Sequence, residues 1–198
     1  IVIIHYTMPD VPGFVTKMFN GVLPILKEHV DVQARWVIHT EPDLATKSKS
    51  YSNIINMSNY KNAVEILKQE KPDLIYINPV TSIPDYAFGL AAKYLKIPVV
   101  GGGEFGNLFE KKLGATYLLQ SSAKQKSYFK NKIIPFLNKY LFLVRTQTAL
   151  GWNIFQIIKD FIFFINAFVP IFYKCEAHLP KFQVDRIFVD SDKIIQYL

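Results

Sequence analysis

The sequence of 198 residues has little cysteine, no long uninterrupted apolar run, and a central stretch without acidic residues. Cys175 is the single cysteine, so it cannot form a disulfide within the chain. Together with four scattered histidines it makes no recognisable zinc-binding set. These absences predict a reducing, cytoplasmic location and no bound metal.

The longest apolar run is too short to cross a membrane. It has 13 residues, from Phe161 to Tyr173, between the charged residues Asp160 and Lys174, and Pro170 interrupts it. A helix that spans a bilayer needs about 20 apolar residues. Two interpretations of the run are left, a helix in the protein core and a helix that lies at a membrane surface.

Positive charge is concentrated in one segment of the chain. Between Lys111 and Lys159 there are nine Lys or Arg residues and no Asp or Glu, whereas the other 14 basic residues are outnumbered by all 16 acidic ones. The formal net charge of +7 therefore comes from this segment. Such a segment attracts anionic lipid, at about 1 kcal/mol per Lys or Arg close to the surface, and the same charge attracts nucleic acid. No helix-turn-helix, zinc or RNA-binding motif accompanies it, so nucleic acid is not the expected partner.

The basic segment has the pattern of an amphipathic helix. Between Ser127 and Tyr140, apolar residues recur at helical spacing and lysines stand between them. We predict peripheral binding to an anionic membrane surface. The predicted membrane-binding residues are Lys124, Lys126, Lys130, Lys132, Lys139, Arg145 and Trp152. Aromatic residues at helical spacing are also common in protein cores, so a core or interdomain position is the alternative.

The first hundred residues alternate between strand and helix patterns. Strands are predicted at Ile1 to Tyr6, Val32 to His39, Leu74 to Ile77 and Ile97 to Val100. Helices are predicted at Phe14 to Lys27, Tyr60 to Glu70 and Thr81 to Leu95. A further strand, Arg186 to Val189, and the start of a helix, Lys193 to Leu198, follow a long helical segment. The pattern predicts one α/β domain, residues 1–198: a Rossmann-like open parallel sheet with helices on both faces and a basic, aromatic helical insertion at about residues 107–183.

Ligands of open parallel sheets bind beyond the carboxyl ends of the strands. The residues predicted to bind substrate there are Asp10, Pro12, Gly13, Asn78, Gly102, Gly103, Gly106 and Ser191. Gly101, Gly103 and Gly106 have the spacing of a dinucleotide fingerprint, but they follow a late strand and no acidic residue lies about 20 positions further on. We therefore expect these glycines to let a ligand approach the backbone, with Glu104 among them. A glycine-rich turn with a solvated glutamate is the alternative.

Four pieces of the chain follow one another in a recognisable order. They are Lys71 to Asn78, a helix that contains Ala91 and Ala92, Lys96 to Val100, and Val184 to Ser191. In order and spacing they resemble the amino-terminal domain of GT-B glycosyltransferases (family 4-like, glycosyltransferase group 1). The resemblance is strongest over residues 59–106 and 184–198 and looser over residues 1–30.

The resemblance implies a complete enzyme that transfers a sugar from a nucleotide sugar to an acceptor, in a cleft between two domains. The amino-terminal domain of such enzymes mainly binds the acceptor, which is lipid-linked or a polysaccharide. The carboxy-terminal domain, which holds most of the nucleotide sugar, lies outside this chain, so we expect the chain alone to be inactive. The nucleotide sugar is a substrate, and no cofactor is implied.

The resemblance also bears on single residues. Family members often place a histidine after the Pro-Val-Val strand, and the matching residue of this chain is Glu104. A carboxylate there is the predicted catalytic group, since it can accept a proton from an acceptor hydroxyl. Two other functions stay open: half of a nucleotide-sugar epimerase with the same architecture, and a non-enzymatic α/β module that binds membrane or nucleic acid.

Overall fold

A computed structural model describes residues 2–7, 21, 24–38, 54–77, 83–102, 134–168 and 185–188. The strands of this part are β1 (Val2–Thr7), β2 (Gln33–Ile38), β3 (Ile54–Asn56), β4 (Leu74–Ile77), β5 (Val99–Gly102) and β6 (Arg186–Phe188). The helices are α1 (Ala63–Glu70), α2 (Ile83–Leu95), α3 (Ile134–Ala149) and α4 (Ile154–Phe168). A 3-10 turn lies at Met57–Asn59, and residues 24–29 are helical.

The six strands form one parallel sheet in the order β3-β2-β1-β4-β5-β6. From β1 the chain adds strands in one direction, and from β4 onward it adds them in the other. This is the doubly wound, Rossmann-like order, and it confirms the predicted α/β class. Because crossovers between parallel strands are right-handed, the helical residues between β1 and β2 lie on the face opposite to α1 and α2.

The sequence predicted most of these elements, with displaced ends. Leu74–Ile77 is a strand as predicted, and β5 runs to Gly102, two residues past the predicted end. The sequence missed β3, because three residues are too few to show an alternating pattern. Helix α1 begins at Ala63, after the predicted start, because the Asn62 side chain accepts a hydrogen bond from the Glu65 amide at 2.9 Å and caps it. The predicted helix at 193–198 lies outside the described residues.

Helix α2 lies in the middle of three layers. Every residue from Ile83 to Ala92 is buried, since one side of the helix packs on β4 and β5 and the other packs under α3. Gly89 faces the sheet, where a Cβ atom would lie 3.5 Å from Ile77 Cδ1. The hydrophobic core continues from the sheet through α2 into the outer layer and includes Val37, Ile66, Ile75, Phe88, Tyr140 and Leu143.

Helices α3 and α4 form the outer layer. The Phe142 ring lies 6.0 Å from the Phe88 ring, and Thr146 Oγ1 accepts a hydrogen bond from the Ala63 amide at 3.1 Å. The predicted basic helix therefore continues to Ala149, and its second half belongs to the core. Its first residues, 127–133, lie outside the described residues.

A tight connection joins the two outer helices. Gly151 has a φ of +78°, a conformation that glycine adopts readily. Asn153 then caps α4: its Oδ1 accepts from the Gln156 amide, its own amide donates to Gln156 Oε1, and both distances are 3.0 Å. None of the helices in the described part of the chain combines the length and the apolarity that crossing a membrane requires.

Candidate functional site

The carboxyl ends of the strands meet at one edge of the sheet, because all of the strand pairs are parallel. Ile77 near the end of β4 pairs with Gly101, and Gly102 at the end of β5 pairs with Phe188 of β6. The strand order reverses between β1 and β4, which pair directly. A crevice at such a reversal is where ligands of doubly wound sheets bind.

One of the predicted substrate-binding residues is described, and it lies at this edge. Gly102 is the last residue of β5. In the sequence, Asn78 directly follows the end of β4, and Gly103 and Glu104 directly follow the end of β5. The predicted residues outside the described part of the chain are Asp10, Pro12, Gly13, Asn78, Gly103, Glu104, Gly106 and Ser191. The catalytic role of Glu104 stays a prediction.

Three titratable side chains that sequence reasoning did not assign to the site lie near this edge. Helix α2 begins at Ile83, soon after β4 ends at Ile77, so its first turn lies at the carboxyl edge. Asp85 stands in that turn and is 2 % exposed. Asp85 interacts electrostatically with Tyr76 of β4 and with Lys139 of α3. We call Tyr76, Asp85 and Lys139 the edge cluster.

Burial and the charge of Asp85 shift the pKa of Lys139 in opposite directions and that of Tyr76 in the same direction. Burial lowers the pKa of Lys139, and the negative charge of Asp85 opposes that change. Burial raises the pKa of Tyr76, and Asp85 raises it further. Tyr76 is therefore a neutral phenol that can donate a hydrogen bond. Asp85 is too deeply buried to meet a ligand, so its role towards Lys139 is electrostatic.

Sequence signals for the edge cluster were present but ambiguous. An aspartate in the first turn of a helix that follows a parallel strand is a signal for this edge. It stands within an apolar helical pattern, however, which hides its position. Lys139 was predicted to bind membrane, and the structure places it partly buried beside Asp85.

The other predicted membrane-binding residues are in three different situations. Arg145 is exposed on α3. Trp152 is partly buried and packs against the hydrophobic core. Lys124, Lys126, Lys130 and Lys132 lie outside the described residues. Membrane binding through these residues stays a prediction.

A second polar group attaches α4 to the layers beneath it. Asp160 Oδ2 accepts hydrogen bonds from Tyr86 Oη at 3.1 Å and from Gln147 Nε2 at 2.7 Å. Burial raises the pKa of Asp160, and the two hydrogen bonds oppose that change. We call Tyr86, Gln147 and Asp160 the α4 clasp. Among the described residues, no three His, Cys, Asp or Glu side chains come together in a way that would hold a metal ion.

Comparisons with known proteins give a limited likeness. No family model matches the sequence, and no curated protein matches it. The structure is similar to a candidate UDP-N-acetylglucosamine 2-epimerase from Listeria monocytogenes, with 18 % identity and a TM-score of 0.39, over 56 % of this chain and 32 % of that one. It is also similar to S. aureus MnaA in complex with UDP, with 15 % identity and a TM-score of 0.36, over 52 % of this chain and 29 % of that one. The chain therefore spans a third or less of the length of these proteins, and neither name is that of a glycosyltransferase.

Proposed function

We propose that this chain is the amino-terminal half of a two-domain enzyme that acts on a nucleotide sugar. The observation that carries the proposal is the strand order β3-β2-β1-β4-β5-β6, which puts the reversal beside strand ends that lead into Asn78 and into Gly103 and Glu104. The motifs within residues 59–106 and 184–198 support the two-domain architecture. The second half would hold most of the nucleotide sugar.

Two reactions fit this architecture. In the first, the sugar is transferred to a hydroxyl group of a lipid-linked or polysaccharide acceptor bound at the sheet edge, and Glu104 accepts the proton of that hydroxyl. In the second, one carbon of the sugar is epimerised, the product is again a nucleotide sugar, and no acceptor takes part. Epimerisation is the activity in the name of one structural neighbour. The basic segment does not separate the two reactions, because it would attract an anionic lipid surface and the anionic diphosphate of a nucleotide sugar alike.

The two reactions give different products from the same incubation. The full-length protein is incubated with a panel of nucleotide sugars, with and without lipid-linked and polysaccharide acceptors. Transfer releases nucleotide only when an acceptor is present, whereas epimerisation forms an isomeric nucleotide sugar without one. If neither product forms from any donor, the proposed function is refuted.

A single substitution tests the role of Glu104. Glu104→Gln keeps the size of the side chain and removes the carboxylate, so turnover is expected to fall by roughly 100-fold or more if the group accepts a proton. The melting temperature should not change. Glu110→Gln, in the same segment, is the matched control and should keep full activity. Unchanged turnover of the Glu104 variant would remove this residue from the chemistry.

A further inference from the structure

One face of α4 exposes large apolar side chains. Ile154, Phe155, Ile158 and Ile162 are 61 %, 79 %, 47 % and 52 % exposed. Three of them are spaced by four residues, and Phe155 lies three before Ile158, so the four side chains form one continuous stripe on the helix. We call these four residues the α4 stripe. Single exposed apolar residues are ordinary on a protein surface, but a contiguous set marks an interaction site.

Contacts beside and opposite the α4 stripe fix its orientation. The Phe161 ring packs edge-on against Tyr140 at 5.0 Å between ring centroids, and Tyr140 Oη donates to the Ile157 carbonyl at 2.8 Å. Asp160 is held by the α4 clasp. Turning the α4 stripe towards the core would break these hydrogen bonds and leave the buried Tyr86 hydroxyl and Gln147 amide without their acceptor, which is costly. The stripe is therefore held outward.

The exposed charges on α3 and α4 have one sign. Lys159 and Arg145 are exposed, on α4 and α3. Asp160 is the only acidic residue from Lys111 to Cys175 in the sequence, and its carboxylate is bound inside the α4 clasp. Helix α4 thus carries the exposed apolar stripe and the exposed Lys159, and its own carboxylate, Asp160, is held in the α4 clasp.

We propose that the α4 stripe seats this protein on an anionic lipid surface, with α4 lying parallel to the bilayer and its apolar side chains among the headgroups. Apolar area gives the affinity for the headgroup region, and nearby Lys and Arg add attraction to anionic lipid. A second protein surface would satisfy the apolar groups, but an anionic bilayer satisfies both the apolar and the cationic groups. Seating on a lipid surface is compatible with transfer and with epimerisation alike.

Under this proposal the aromatic anchor is Phe155 and not Trp152. Trp152, which the sequence suggested, packs against the core, whereas Phe155 is almost fully exposed three residues later. Helix α4 as a whole is neither a core helix nor an interfacial helix. One side of this helix packs on the domain, and the other side is left to the lipid.

Vesicle sedimentation tests the proposal. The protein is mixed with phosphatidylcholine vesicles, and with vesicles that also contain phosphatidylglycerol, over a salt series. We expect binding to the anionic vesicles that weakens as salt rises. The double variant Phe155→Ser/Ile158→Ser should bind the anionic vesicles at least roughly tenfold more weakly. Tyr94→Ser is the matched control, since Tyr94 is 59 % exposed on α2, outside the stripe, and should bind like the unaltered protein.

Other outcomes would overturn the proposal. Circular dichroism first establishes that both variants keep the native melting temperature, as expected for exposed positions. Equal vesicle binding by the double variant would show that the stripe takes no part. Absence of binding to either vesicle would show that lipid does not cover it. A concentration-dependent dimer that the double variant loses would assign the stripe to a second copy of the chain.

Discussion

Helices α2 and α4 are alike in length and apolar content but differ in how many layers cover them. They have 13 and 15 residues. Helix α2 has the sheet on one side and α3 on the other, so ten consecutive residues are buried. Helix α4 packs through one side alone and leaves the α4 stripe exposed. The role of an apolar helix in this molecule is therefore decided by its place in the stack of layers.

Each of the two helices carries one carboxylate on a covered side. Asp85 of α2 is almost fully buried, and Asp160 of α4 is held by the α4 clasp. A buried polar group stabilises only the orientation in which its partners can reach it. The hydrogen bonds of Asp160 therefore select the rotation of α4 about its axis, which its apolar residues alone would leave less specific.

The largest predicted contrast between the helices concerns two phenylalanines. Phe88 of α2 is 1 % exposed and packs against Phe142, whereas Phe155 of α4 is 79 % exposed. Phe88→Ala should lower the free energy of unfolding by about 3–5 kcal/mol, because it leaves a cavity in the core. Phe155→Ala should change it by about 0.5 kcal/mol at most. Urea unfolding measures both, and similar losses would show that α4 is covered like α2.

A smaller contrast separates the inner and outer sides of α3. Thr146 Oγ1 accepts from the Ala63 amide at 3.1 Å and donates to the Phe142 carbonyl at 2.9 Å. Thr146→Val leaves the buried Ala63 amide without this acceptor, at an expected cost of about 1–3 kcal/mol. Thr148 is exposed and donates to the Val144 carbonyl, so Thr148→Val is the matched control, with an expected change near zero. Equal stabilities of the two variants in urea would mean that α3 is not anchored on α1 through Thr146.

The smallest predicted effect is a pH dependence from Asp160. Burial raises its pKa above the ordinary value of 3.8, so the folded protein favours the protonated carboxyl. The contribution of Asp160 to stability is then fully present below pH 3.8 and is lost as the pH rises through the higher pKa of the folded state. Asp160→Asn keeps an acceptor for Tyr86 and Gln147 and removes this titration. As the pH falls from 7 towards 4, the unaltered protein should gain stability relative to the variant in thermal melts, and parallel curves would contradict the assignment.

The sequence predicted the inner layers well because their signals are local. The run Leu74–Ile77 between polar residues and the periodic pattern before Leu95 each define an element without reference to the rest of the chain. The outer layer depends on tertiary packing. Trp152 and Phe155 are three residues apart and equally aromatic, and only the position of the core shows which one is exposed.

The sequence predicted where the candidate site lies but not which side chains come together there. Parallel strand order alone puts Gly102 and the start of α2 at the same edge of the sheet. Lys139 comes to that neighbourhood from a helix about 40 residues further along the chain than β5, a relation that no local pattern contains. The electrostatic interaction of Lys139 with Asp85 therefore had to come from the structure.

The hydrogen bond between Ala63 and Thr146 also bears on how the chain folds during synthesis. Its two residues are 83 positions apart, so the first turn of α1 lacks this acceptor until α3 has left the ribosome. At about 5–20 residues per second, that delay is about 4 to 17 seconds. For the later part of that time, once α2 has itself been synthesised, the side of α2 that α3 later covers is open to solvent. A nascent chain of this protein should therefore be a client of chaperones that bind apolar helices, until its outer layer arrives.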